Sequence, residues 1–156
     1  MTIEQAYAAI PHRRTIFDPG IANMGPNEAA YLKALFSLID LAVKERVETL
    51  LWLQSNGAKG DGWDDYDMIL SRLNNLRAPA NLQTVHQLVI DAIQEHRDVL
   101  RQWRQAPSTV SMNHPLVQSS SRKLYQAYGM VTQLYGKEQP RNQQAFYDTF
   151  CCLDFL

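Results

Sequence analysis

The stretch from Pro26 to Asn56 constrains the fold more than any other part of the chain. It opens on Gly25-Pro26-Asn27-Glu28, which places a proline in a first helical turn with an acid close behind, and it stops at Gly57. Leu32, Phe36, Ile39, Val43, Val47, Leu50 and Leu53 recur within it at three- and four-residue spacing. Lys33, Ser37, Asp40, Lys44 and Glu48 run up the opposite face, with Asp40–Lys44 and Lys44–Glu48 as i,i+4 pairs of opposite charge. Glu45 is read with Asp40 and Glu48 as facing mainly outward. One helix over this stretch is about 45 Å long. Its apolar stripe needs other elements to cover it.

The remaining periodic segments are helical too. Thr2 and Gln5 form a capping box for a short first helix, which Pro11 ends. A third helix spans about Gly62 to Arg77, with Asp61 as its cap and Tyr66, Ile69, Leu73 and Leu76 on one face. Beyond Pro79, a fourth runs from about Leu82 to Gln105 with a seam of Leu82, Val85, Val89, Ala92, His96, Val99 and Trp103. A fifth starts at Pro115 and ends at Gly136, carrying Val117, Ser121, Leu124, Tyr128, Val131 and Tyr135; a sixth follows Pro140. No segment sustains strand alternation. The spacing therefore predicts an all-α fold: an antiparallel bundle of about four main helices, a short N-terminal helix and one further helix. Short breaks favour antiparallel neighbours. Residues 1–156 read as one domain, with a short helix and ordered loop over 1–25 and the bundle over 26–156.

Charge excludes some function classes. Fifteen Lys and Arg balance sixteen Asp and Glu, and no basic run stands out, so the expectation is no nucleic-acid partner. The longest greasy stretch, Ala34 to Val43, is interrupted by Ser37 and Asp40, far short of the ~18–20 residues that span a bilayer, so no membrane partner is expected. With two cysteines and no disulfide framework, the expected location is cytoplasmic.

Those cysteines are adjacent, Cys151 and Cys152. On a helix from about Arg141, Cys152 falls within the apolar face and Cys151 at its border. A zinc site needs more ligands at recognisable spacing, and a prenylation signal needs cysteine fourth from the end, which is Leu153. The expected role is core packing.

Four other stretches carry chemistry-bearing residues. His12, Arg13 and Arg14 are the densest positive charge, a candidate anion or partner contact in the loop from Pro11 to Gly25, where Ile16, Phe17, Ile21 and Met24 suggest that the loop packs down. Gly57 and Gly62 have phosphate-loop spacing, but Trp63 and Asp64 stand where Lys and Ser or Thr belong. His96 lies on an apolar seam without a Glu-x-x-His motif, so it reads as a core or groove histidine. Ser119, Ser120 and Ser121 lack a nucleophile-elbow sequence and read as a close-approach site between helices. A pocket or groove is expected around His96, Trp103 and Tyr128.

With no catalytic signature, no cofactor and no metal set, the first functional expectation is a small interaction module (an adaptor, regulator or inhibitor-type partner) that binds a protein or itself, as a homodimer. The alternative is a ligand- or anion-binding bundle, with its pocket near His96 and Trp103 and its basic loop at Arg13 and Arg14. An enzyme with a dispersed site stays open as a third.

Overall fold

The computed structural model of the protein describes residues 2–9, 15–54, 65–106, 111 and 113–154. They form α1 (Ile3–Ala8), α2 (Pro26–Gln54), α3 (Tyr66–Asn75), α4 (Gln83–Gln105), α5 (Pro115–Leu134) and α6 (Pro140–Leu153). Single 3-10 turns occupy Pro19–Ile21 and Ala80–Leu82. Among the described residues there is no strand, and no helix is long and apolar enough to cross a membrane. The fold is all-α.

Local chemistry sets the helix starts. The Thr2 amide donates to Gln5 Oε1 at 2.8 Å and the Gln5 amide to Thr2 Oγ1 at 3.1 Å, completing the capping box. His114 Nδ1 accepts from the Leu116 amide at 3.1 Å ahead of Pro115. Asp61 and Gly62 lie outside the described residues, and α3 is helical from Tyr66. Asp65 holds the cap position there, but its side chain makes no cap. Its amide instead donates to Glu45 Oε1 at 3.0 Å.

Named contacts give the helix directions. Glu45 meets Asp65, while Tyr31 and Leu76 line one cavity, so α2 and α3 are antiparallel. Glu95 on α4 contacts Ser119 and Lys123 on α5. Tyr135 packs on Phe146 and Tyr128 on Phe150, which opposes α5 and α6. Phe36 meets Phe146, and ten residues on Arg46 meets Leu153, so α2 and α6 run parallel. Helix α2 touches α1, α3, α4 and α6, which makes it the spine.

That position explains its burial. Leu32, Phe36, Ile39 and Val43 are buried as the stripe requires, but so are Tyr31, Leu35, Ala42, Thr49 and Glu45. Glu45 therefore corrects the outward reading: α3 covers its face of α2 and offers it the Asp65 amide. Phe17, Phe36, Phe146 and Phe150 form an aromatic knot, with Phe17 edge-on to Phe36 at 5.7 Å and stacked near Phe146 at 5.8 Å. The loop thus packs down through Phe17 and, in part, Met24, while Ile16 and Ile21 are exposed.

Polar groups bind the same loop. Asn142 is fully buried; its Oδ1 accepts from the Asp18 amide at 2.9 Å, and its Nδ2 donates to the Asp18 carbonyl at 3.0 Å and to Glu138 Oε1 at 3.1 Å. The Glu138 carboxylate also accepts from the Asn23 amide at 2.9 and 2.8 Å. Asn142→Ala takes the acceptor from the Asp18 amide, while Glu138 keeps Asn23 and the Asp18 carbonyl keeps Ile21, and it is expected to cost about 2 kcal/mol, read as a lower urea midpoint at unchanged slope. A loss within about 0.5 kcal/mol would mean water replaces the amide at no cost.

Candidate functional site

Of the residues expected at a site, His12, Arg13 and Arg14 lie outside the described residues. His96 is fully buried on α4. Burial, followed by the nearby Arg46 guanidinium, pulls its pKa down to about 3, so the ring is neutral at neutral pH. Trp103 is partly buried against the core. Tyr128 stands on α5, its ring 6.0 Å edge-on from Tyr147 and 6.1 Å from Phe150. No cavity lined by described residues holds all three.

Tyr128 does line a groove between α5 and α6. Its floor is Leu124 and Phe150, its walls are Tyr125, Tyr128 and Tyr147, and Cys151 and Asp154 close one end. Its volume is about 180 Å³, and it is open to solvent along the tyrosine rim. Tyr128 and Tyr147 also border a second depression with Pro140, Gln143 and Gln144, so their paired rings stand as a ridge between an apolar cavity and an amide-lined one. Tyr125 is 80% exposed and Tyr147 44%. Asp154 Oδ2 accepts from Ser121 Oγ at 2.9 Å, which ties the groove's acidic end across the two helices. The Tyr147 hydroxyl is pushed up by a hydrogen bond to the Cys151 thiol, one turn along the same helix.

No family model, curated protein or solved structure matches this chain. What the groove does therefore rests on its own geometry.

A second cluster resembles a nucleophile and base. Ser119 Oγ donates to Glu95 Oε1 at 3.0 Å, and the Lys123 ammonium donates to both Glu95 and Ser119, the latter at 3.1 Å. An ammonium donating to both oxygens has no lone pair with which to accept the serine's proton. The group is instead a buried-edge tie between α4 and α5. Ser120 is fully buried and bonds back to the Val117 carbonyl, which permits the close approach expected of the serine run. Cys152 is buried and Cys151 half-buried, and neither forms a disulfide. Among the described residues no His, Cys, Asp and Glu group could hold a metal ion.

Sequence reasoning missed Arg46. Its Nη1 donates to the Leu153 and Asp154 carbonyls at 2.6 and 2.7 Å, and its Nη2 to the Cys152 carbonyl at 2.6 Å. A fork from α2 thereby caps α6 from the side. Burial lowers the guanidinium's pKa from its usual value.

Proposed function

We propose that the protein is a cytoplasmic helical interaction module, and that the α5–α6 groove takes one apolar side chain from a protein partner. Tyr125 carries the reading: a large aromatic left 80% exposed at the mouth of an apolar cavity. Exposed tyrosines around an apolar pocket are the usual make-up of binding hot spots. A volume of about 180 Å³ is below the roughly 300–1,000 Å³ of small-molecule sites and suits a single anchor residue. Among the described residues that line it, Asp154 alone is charged. The fitting partner is therefore a segment with an apolar anchor beside a Lys or Arg. The half-exposed Cys151 thiol is consistent with a reducing compartment.

Selection of displayed peptides on the whole protein tests this, with the Tyr125→Ala/Tyr147→Ala double variant as counter-target. Enriched peptides should share an apolar residue next to a basic one. Their affinity should fall roughly tenfold or more in Tyr125→Ala, with the melting temperature unchanged because the ring is exposed. Peptides that bind both proteins equally, or no enrichment at all, would remove the groove from consideration. A homodimer that dissociates in Tyr125→Ala would instead make a second copy the occupant and overturn the basic-flanked partner.

A further inference from the structure

Arg77 lies in the connection between α3 and α4 and has no hydrogen-bond or ion-pair partner among the described residues. Other arginines are committed: Arg46 to the end of α6, and Arg97 and Arg101 to Asp67 at 3.2 and 3.1 Å. Arg77 instead stands between two adjoining cavities that share Leu76, Arg77 and Ala78 as lining. One, about 500 Å³, opens against the first turns of α2 at Asn27 and Tyr31. The other, about 490 Å³, opens against the first turns of α4 at Gln83 and His86. Both are shallow and open to solvent, with Arg77, Asn27 and Gln83 exposed at their rims.

Among the described residues no aspartate or glutamate lines either cavity; the nearest carboxylate tied to the lining is Asp91, which accepts from the Gln87 side-chain amide at 2.8 Å. His86 adds no charge at neutral pH, because burial lowers its pKa from the usual value. Its Nδ1 is 2.7 Å from the Tyr31 hydroxyl, and this pair bridges α2 and α4 where the two cavities meet. Arg77 is thus the charged group that a ligand meets, as a planar fork suited to two oxygens at once. The side-chain amides of Asn27 and Gln83, one on each side, have no partner among the described residues and can donate. The apolar surface of Ala78 and Pro79 offers a resting place for a ligand body.

We propose that this saddle binds a small organic oxyanion, whose phosphate or carboxylate group is held by the Arg77 guanidinium and the amides of Asn27 and Gln83. The site shares no residue with the α5–α6 groove and does not depend on the groove having a partner.

Amide and arginine side-chain NMR spectra of the full chain test it. Inorganic phosphate and succinate are titrated separately at ionic strength matched with sodium chloride. The expected result is saturable shifts confined to the Arg77 side chain, the first turns of α2 around Asn27 and the backbone from Leu76 to Gln87, roughly tenfold weaker in Arg77→Gln. Arg77→Lys, which keeps the charge and loses the fork, should fall between the two, and Arg122→Gln on α5 should match wild type. Saturation by phosphate alone identifies a phosphorylated ligand, and by succinate alone a carboxylate. Shifts that do not saturate with either anion, or that are the same in Arg77→Gln, overturn the proposal.

Discussion

Replacing Arg46 by alanine is expected to destabilise the fold by about 4 kcal/mol. Three carbonyls, of Cys152, Leu153 and Asp154, lose their shared donor at the end of α6. They are the terminal acceptors that a helix cannot satisfy from within. The loss should have a local signature as well as a global one, because α6 is pinned to α2 at this point. Hydrogen exchange at Cys152 to Asp154 should accelerate in Arg46→Ala before the core of α4 opens. Arg46→Lys should recover less than half of the loss, since a lysine places one compact charge where a fork spans three oxygens. Denaturant midpoints of the two variants decide the matter. Equal stability of Arg46→Lys and wild type would mean that charge alone, without the fork, holds the end of α6.

Arg46 also shows what a periodic reading leaves out. The stripes of α2 and α4 were legible because apolar residues recur at helical spacing, and Leu32, Ile39, Val85, Val89 and Ala92 are all fully buried where the spacing places them. Such a reading gives each helix one covered face. Helix α2 has neighbours on several sides, so Glu45 and Thr49 are buried although they stand off the apolar stripe. The tyrosines fail differently. Tyr31, Tyr66 and Tyr135 are buried and Tyr125 and Tyr147 exposed, with nothing in residue type to separate them; neighbouring helices decide. The groove needed the α5–α6 pairing before its members could be named, although Tyr128 was already a candidate. The saddle at Arg77 left no pattern in the sequence, because its walls come from α2, α3 and α4 and its charge from a connection marked only by Pro79. The cysteine pair was legible for the opposite reason: its outcome depends on one helix face, and Cys152 is buried beside a half-buried Cys151.

His96 gives the clearest test in solution, through the pH dependence of stability. In the folded chain the ring's pKa is about 3, held there by full burial and by the neighbouring positive Arg46. In the unfolded chain it returns to about 6.5. Below about pH 6.5 the unfolded state therefore binds a proton that the folded state refuses, so stability falls as pH falls. The contribution is fully present above pH 6.5 and decreases by about 1.4 kcal/mol per pH unit toward pH 3. By pH 4.5 the loss is about 3 kcal/mol, a large fraction of an ordinary domain's stability. His86 acts in the same direction, since burial lowers its pKa too, though it is less enclosed. Asp67, whose pKa is lowered by its hydrogen bond to Arg101 and by that arginine's charge, contributes only further into acid, below the usual carboxylate range. Between pH 6 and 4.5 the histidines thus set the slope. His96→Leu removes the larger of them and fills the apolar seam with a residue that does not titrate. Urea unfolding across this window should show wild type losing stability steeply and His96→Leu nearly flat, apart from a shallow remainder from His86. Parallel slopes in the two proteins would mean that His96 gains a proton without unfolding, and that its cavity admits a counter-charge or water.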